Sequence, residues 1–322
     1  MATIIWPKHR RDKTLSKNPI TRSLIVYNKT IMKLSKQQTG NLFILSSGVL
    51  WGIFPVITIL SYNSLSPLIS LVLSSFFAGI FFAGMVTINK RWHEVLHKAA
   101  LKNILLVTFF IGILYYLFTF MGLQFTSAGN ASIVAMTEVF FSFLFFHVLR
   151  REHLPKTQII GAGLMIVGAM IILAPNFTHF QLGDLLILLG GAIAPFGNFY
   201  AQKARKQVSS ETIMMIRSFL SAIAILLIAL AIKTPLSLPS IQQSLGFLLI
   251  NGLLLLGLSK VFWMEGIHRI PVTTANALNC MIPLITLFVA WLVLHQSPTP
   301  WQLFSLIPIS AGVYFINKKA KR

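Results

Sequence analysis

Long apolar segments recur along the chain, and their length restricts the fold more than any other feature. A bilayer core about 30 Å thick is crossed by a helix of roughly 20 apolar residues. Buried strands of soluble proteins are much shorter. Because lipid forces backbone N–H and C=O groups to pair within their own segment, the segments predict an all-α integral membrane protein. We predict ten transmembrane helices at about 42–60, 67–88, 104–122, 130–149, 158–174, 184–201, 211–232, 246–266, 273–294 and 301–317.

The 27 Lys and Arg lie almost entirely on one side of these spans when the connections are assigned alternately to the two sides. Lys233 alone falls on the other side, and Arg217 and Lys260 fall within spans. Cytoplasmic loops retain positive charge, so both termini are predicted to be cytoplasmic. A missing span would scramble this alternation. The net charge of +20 is therefore interpreted as an orientation signal and an attraction to anionic lipid, not as a nucleic-acid site.

The first 41 residues are basic and nearly free of acidic residues. We interpret 1–41 as a cytoplasmic tail, either disordered or an extension upstream of a true start at Met32, in preference to an organellar targeting segment. No short apolar segment precedes residue 42, so no cleavable secretory signal is expected. The single Cys280 lies within a span, which excludes a disulfide within the chain.

The chain repeats itself with a period near 143 residues. Gly40-Asn41-Leu42 at the first span corresponds to Gly183-Asp184-Leu185 at the sixth. We predict two repeats, 42–175 and 183–318, with five spans each. Since five is odd, the repeats must be inverted relative to each other, as in many secondary transporters whose halves rock about a central site.

Motifs in both halves carry a family resemblance over roughly residues 40–318. They are Gly48-Val49-Leu50-Trp51-Gly52, Tyr116-Leu117-Phe118, Leu123-Gln124-Phe125-Thr126-Ser127-Ala128, Glu138, Glu152, Gln158-Ile159-Ile160-Gly161-Ala162, Ala275-Asn276-Ala277-Leu278, Pro283 and Gln302. With these motifs the chain resembles the EamA-type members of the drug/metabolite transporter superfamily. Two positions depart from the family pattern: Val139 replaces a usual Pro, and Gln296 replaces a usual Glu. The resemblance implies ten helices, cytoplasmic termini and alternating access that moves a small metabolite, usually outward.

Three charges within the spans are the strongest candidates for substrate binding or coupling. A charge inside lipid costs about 2.5–3.5 kcal/mol on insertion scales, so such groups usually face a cavity or a partner. Glu138 is predicted to contact a substrate amine or to couple a proton, with a structural helix–helix contact as the alternative. Arg217 and Lys260 lie at similar depth and are predicted to bind a carboxylate or phosphate. Their alternative is a side chain that extends to the membrane interface.

Uncharged residues complete the candidate site. The amides of Asn198 and Asn279 are predicted to hydrogen-bond substrate or to join helices, and Asn276 shares a helix face with Asn279. Aromatic walls are predicted from Trp51, Tyr115 and Tyr116, and a further face of the pocket is predicted from Trp263; each of these rings also suits ordinary packing.

One short motif suggests an enzyme instead. His93-Glu94-Val95-Leu96-His97 spells H-E-x-x-H, which on a helix places two zinc ligands on one face with a glutamate base. Catalytic zinc also needs a third ligand, and none is evident. We interpret the segment as a basic amphipathic helix on the membrane surface. We predict no metal, no cofactor and no enzymatic activity, and the lack of a P-loop argues against ATP-driven transport.

The sequence thus predicts a secondary active transporter, an exporter or exchanger of a small metabolite such as an amino acid or derivative. A multi-pass protein of the plasma membrane, the bacterial inner membrane, is expected. A zinc hydrolase using His93 and His97 and a non-transporting sensor or scaffold are the alternatives. Substrate identity, direction, proton or counter-substrate coupling and oligomeric state stay open.

Overall fold

The computed structural model describes residues 35–150, 156–173 and 181–317, and every regular element in these ranges is helical. The elements in chain order are α1 (Lys36–Ser61), α2 (Pro67–Ile88), α3 (Lys98–Gln124), α4 (Ala128–Ala135), α5 (Glu138–Arg150), α6 (Lys156–Leu173), α7 (Leu182–Ala204), α8 (Ser210–Ala231), α9 (Leu238–Ile267), α10 (Val272–Asn279), α11 (Ile282–Leu294) and α12 (Pro300–Asn317). The predicted all-α class is confirmed. The helix α1 includes the last residues of the segment predicted as a tail, and residues 1–34 lie outside the described ranges.

Eight helical stretches in these ranges are long and apolar enough to cross a membrane. They are α1, α2, α3, α4 with most of α5, α7, α8, α9, and α10 with α11. The stretch Lys156–Ile172 is a shorter apolar helix, and α12 covers the last predicted span. Leu227, Phe304 and Ile307 are among many large apolar side chains exposed on the outer helix faces, as lipid contact requires. The protein is a multi-pass membrane protein, and the number of ten crossings stays a prediction.

Serine side chains fix the starts of several helices. Ser35 Oγ accepts the backbone N–H of Gln38, whose side chain accepts the N–H of Ser35, so α1 begins with a capping box. Ser66, Ser127 and Ser209 likewise accept the backbone N–H of the residue three positions on. Each cap satisfies a backbone N–H that the first helical turn leaves unpaired, and so fixes the residue at which α2, α4 or α8 begins.

Irregular helical geometry occurs twice at matching places in the two halves. A π-helical segment occupies Thr108–Tyr115 within α3, and another occupies Ile250–Leu258 within α9, so that their first residues are 142 positions apart. Met136 and Thr137 separate α4 from α5, and Cys280 and Met281 separate α10 from α11, 144 positions later. Both offsets agree with the sequence period near 143. Interrupted helices and π-helical turns are frequent at functional sites of membrane proteins.

Close packing of α1 against α11 depends on a small residue. A Cβ added to Gly52 would lie 2.8 Å from the side chain of Ile285, and the carbonyl of Gly52 accepts a hydrogen bond from Thr286 Oγ1 at 2.7 Å. Gly48 and Gly52, four residues apart on α1, therefore lie at a helix–helix contact. Asn279 is the neighbour of Gly48 across this contact, so the packing also sets the position of α10.

A polar cluster joins the two halves at one end of the bundle, and we call this cluster the clasp. The buried carboxylate of Asp184 on α7 accepts hydrogen bonds from Thr126 Oγ1 and from Asn130 Nδ2 on α4. Gln302 Nε2 on α12 donates to Asn130 Oδ1 at 2.8 Å and to Ser127 Oγ at 3.3 Å. The opposite end, where α1 begins and α12 ends, is called the Lys36 end.

Candidate functional site

Two adjoining cavities lie between the halves of the bundle. One has a volume of about 560 Å³ and is called the amide chamber because it is lined by the side-chain amides of Gln158, Asn198, Asn276, Asn279 and Asn317. The other has a volume of about 310 Å³ and is called the cationic chamber because Arg205, Arg217 and Lys260 line it. Both volumes suit a small-molecule ligand.

The chambers have a common wall and so form one continuous candidate site. Seven residues line both of them: Trp51, Tyr115, Glu138, Asn198, Trp263, Asn279 and Ile282. Arg217, Lys260 and Tyr116 line the cationic chamber as well, so the charges, amides and aromatic rings singled out in the sequence all line it except Asn276, which lines the amide chamber. The structure brings them together, and their part in transport stays a prediction.

Glu138 is the first residue of α5 and lies immediately after the interruption of the fourth predicted span. The N-terminus of a helix carries a partial positive charge that favours a carboxylate. Asn198 Nδ2 on α7 donates to Glu138 Oε1 at 3.2 Å. A carboxylate has about four acceptor positions, so this bond leaves capacity for a substrate amine.

Lys260 lies two residues after the π-helical segment of α9 and contacts an aromatic ring. Its Nζ is 3.6 Å from the ring centroid of Trp51, a cation–π distance. The ring of Trp51 in turn stacks on Phe54, with centroids 4.8 Å apart and an interplanar angle of 4°. The indole ring of Trp51 therefore contacts both the Lys260 ammonium group and the Phe54 ring, and these contacts fix its orientation.

Arg217 is buried inside the bundle, with 5% of its surface exposed. Its guanidinium carbon lies 5.7 Å from the ring centroid of Tyr116, and its stem packs against the π-helical segment of α3 beside Gly112. The side chain lines the cationic chamber and faces the interior of the bundle.

None of the three cations of the cationic chamber has a carboxylate within ion-pair distance in the described part of the chain. The ion pairs found there join Arg91 to Glu94 and Arg269 to Glu265. The second pair joins residues four positions apart at the end of α9. Both pairs lie outside the two chambers.

Sequence reasoning missed several polar residues of the site. Arg205 caps α7 and was counted as a loop charge, but its side chain reaches the mouth of the cationic chamber. His147, Gln158 and Asn317 line the amide chamber, and His147 Nε2 is buried without a hydrogen-bond partner. Asn276 donates to Asn317 Oδ1 at 3.1 Å and so joins α10 to α12. A one-dimensional pattern carries no signal for these orientations.

The chambers extend toward the Lys36 end and not toward the clasp. Arg205 and Ser210 lie where α7 ends and α8 begins, and Gln158 and Asn317 lie near the matching ends of α6 and α12. On the clasp side, a cavity of about 40 Å³ adjoins Trp51 among packed apolar side chains, and a separate cavity of about 270 Å³ lies among the clasp residues Ser127, Asn130 and Gln302. This 270 Å³ cavity shares no lining residue with either chamber.

The H-E-x-x-H segment serves a structural contact. Glu94 accepts the N–H of Ser209 at 2.7 Å and the hydroxyl of Thr212 at 2.9 Å, which caps the start of α8, and it also pairs with Arg91. Burial opposes ionisation of Glu94, but these hydrogen bonds outweigh burial and lower its pKa to about 2.

The geometry of this segment does not suit a zinc hydrolase. His93 lies in the 3-10 turn Trp92–Glu94 and His97 precedes α3, so no α-helical face presents both imidazoles. Within residues 35–150, 156–173 and 181–317, no group of three or more His, Cys, Asp or Glu could hold a metal ion. The predicted amphipathic surface helix is wrong as well. The segment contains only the 3-10 turn Trp92–Glu94, and Glu94 bonds to the start of α8.

Comparison with known proteins identifies the family. The model of the EamA-like transporter family matches twice, at residues 38–174 and 181–318. An uncharacterized transporter of Bacillus subtilis, YoaV, is 21% identical over 275 residues, which cover 84% of this chain and 94% of that protein. A probable amino-acid metabolite efflux pump of Salmonella typhimurium is 25% identical over 211 residues, covering 62% and 71%.

A solved crystal structure agrees with this fold. Its TM-score is 0.63 at 16% identity, and the match covers 87% of this chain and 97% of the other. That likeness concerns the fold alone. The resemblance noted in the sequence is confirmed by the two family matches, and this chain belongs to the EamA-like transporter family.

Proposed function

We propose that the protein is a secondary active transporter that exports or exchanges a small metabolite such as an amino acid or derivative. The observation that carries this proposal is the central site, in which Glu138 faces the same cavity as Arg217 and Lys260. An amino group suits the carboxylate, and a carboxylate suits the two cations. The name of the Salmonella relative supports the amino-acid class and the outward direction.

The mechanism we propose is alternating access between inverted five-helix repeats, 42–175 and 183–318, which together cross the membrane ten times. The repeated π-helical segments and helix interruptions support the internal symmetry. With both termini in the cytoplasm, the Lys36 end is cytoplasmic and the structure is inward-facing. The clasp then closes the outer end, in the plasma membrane, which is the inner membrane in bacteria.

Substrate movement in this mechanism requires the clasp to open while the Lys36 end closes. Protonation of Glu138 or binding of a counter-substrate is the proposed coupling event. Either event changes the charge of the site and so favours the conformation that binds the proton or counter-substrate better. An unchanged transport rate after collapse of the pH gradient would favour exchange.

Reconstituted full-length protein tests the proposal through uptake of radiolabelled amino acids and derivatives into vesicles. We expect Glu138→Gln and Lys260→Met each to lower the rate of a transported substrate by about tenfold or more, because each removes one charge-assisted hydrogen bond. Matched controls are Glu265→Gln and Lys203→Met. Lys203 also lies over an aromatic ring, 4.2 Å from the centroid of Phe199, but lines neither chamber.

Wild-type rates in both site variants would remove Glu138 and Lys260 from the mechanism. Saturable binding without movement of any compound would favour the sensor or scaffold alternative.

A further inference from the structure

The cationic chamber holds more positive than negative charge. Arg205, Arg217 and Lys260 line it, and Glu138 is the carboxylate in its wall. None of the three cations takes part in the ion pairs found among the described residues. Arg205 is exposed at the edge of the chamber, whereas Arg217 is buried and Lys260 is half-buried, so an uncompensated charge is costly on the last two.

The amide chamber differs sharply in chemistry. Apart from the shared Glu138, its polar lining consists of side-chain amides, hydroxyls and the imidazole of His147. Phe143 and Phe146 add apolar surface. One end of the continuous site thus suits a strongly charged group, and the other suits a neutral group that can hydrogen-bond and pack on aromatic rings.

A simple zwitterion would not neutralise this site. Its ammonium group balances Glu138 and its carboxylate balances one of the cations, which leaves the chamber with unmatched positive charge. A substrate with a further anionic group matches the remaining charge. Because charged partners must be matched for a buried site to bind tightly, the charge balance favours a ligand that is itself an anion.

We propose that the substrate carries a net negative charge, with a carboxylate or phosphate group held between Arg217 and Lys260 and its neutral remainder in the amide chamber. This inference rests on the proposed transport function and narrows its substrate class. Arg205, at the mouth of the chamber, is the first cation that an anion entering from the Lys36 end meets.

Binding of the anion must move Lys260. Its ammonium lies over Trp51, and a charged oxygen is a stronger partner than an aromatic ring. When the ammonium turns toward the anion, the Trp51 ring loses its cation. Trp51 fluorescence therefore changes on binding of an anion, and this signal depends on both residues of the pair.

Two matched pairs of probes test the proposal on the full-length, detergent-solubilised protein: glutamate against glutamine, and O-phosphoserine against serine. Binding is followed by tryptophan fluorescence and by thermal stabilisation, and uptake is followed in vesicles. We expect at least one anionic probe to bind about tenfold or more tightly than its neutral partner. Arg217→Gln and Lys260→Met should remove this discrimination, Trp51→Phe should remove the fluorescence change, and Lys203→Met should preserve both.

Lys260→Arg keeps the charge and is expected to retain the discrimination, which separates a charge effect from misfolding. Glutamate alone or O-phosphoserine alone as the preferred probe supports the proposal and identifies the anionic group. Equal binding and transport of the neutral partners would overturn the anionic class while leaving the transport function intact. Binding of none of the four probes would also overturn it, and the wider uptake panel then decides whether transport itself fails.

Discussion

The position of Arg217 depends on the absence of one methyl group from a neighbouring helix. Gly112 lies in the π-helical segment of α3 and is buried against α8. A Cβ at this position would overlap Ser221 Oγ and would lie 3.1 Å from Arg217 Cγ. The closeness of α3 to α8 therefore determines where the guanidinium enters the cationic chamber.

We expect Gly112→Ala to lower the free energy of unfolding by about 1–3 kcal/mol, the usual cost of overpacking a well-filled interior. It should also weaken the apparent affinity for substrate, because Arg217 must shift. Thermal unfolding in detergent and uptake in vesicles measure the two effects. Gly84→Ala is the matched control, since a Cβ on that helical glycine meets nothing within 4 Å. Equal stability of the two variants would contradict the packing argument.

At the scale of single residues, charge was predictable and orientation was not. Glu138, Arg217 and Lys260 were identified because an ionised group within an apolar span needs a partner or a cavity. Arg205 was missed because a cation just past a helix end is indistinguishable from an ordinary loop charge. The same sequence pattern also left open whether Arg217 extends to the interface or faces a cavity, because the burial of a side chain depends on how the helices pack.

At the scale of elements, the spans followed from hydropathy, because lipid leaves an apolar segment of this length little choice but a helix. The interruptions within the helices could not be predicted from hydropathy. Pro283 lies in the first turn of α11 and is a recognisable signal, but the matching interruption before α5 forms with Val139 in place of proline. The π-helical segments have no compositional signature either, since they depend on how α3 and α9 pack against their neighbours.

Glu94 supplies a contact between elements of different halves. Its carboxylate receives the first donors of α8, where the helix dipole also favours a negative charge. The lowered pKa of about 2 means that the ionised form is the one that binds.

We expect Glu94→Gln to lower the free energy of unfolding by about 1–3 kcal/mol at neutral pH, because hydrogen bonds to a charged acceptor are lost. Since the pKa in the folded state is below the ordinary value of 4.5, the contribution is present above that value and is lost as pH falls toward 2. Thermal unfolding at pH 7 and at pH 3 measures the difference. Glu211→Gln, in the first turn of the same helix, is the control. An undiminished gap between Glu94→Gln and wild type at low pH would contradict this account.

At the scale of the whole molecule, the distribution of Lys and Arg leads to a topology that labelling can test. In a Cys280→Ser background, single cysteines in place of Lys156 and Lys206 should react only from the cytoplasmic side. A cysteine in place of Lys233 should react only from the outside. All three side chains are exposed. Reaction of positions 156 and 206 from opposite sides would overturn both the ten-span topology and the inversion of the repeats.

The symmetry of the whole chain was visible in the sequence through a few landmarks, because helix lengths and turn residues are retained when side chains diverge. The central cavity was not visible: residues beside both helix interruptions line it, together with residues of α3 and α9 within or just after their π-helical segments. The clasp was also unforeseen. Asp184 was noted as a repeat landmark, but its hydrogen bonds to the α3–α4 connection require the fold.

The interruption between α10 and α11 places the chain's single thiol at a joint of the proposed moving parts. Cys280 is half-buried beside Met165 and Val313, and its neighbour Asn279 lines both chambers. The natural sequence thus already contains a unique attachment point for a spin label or fluorophore. We expect a probe attached to Cys280 to report movement at this joint during transport, with no substitution in the chain.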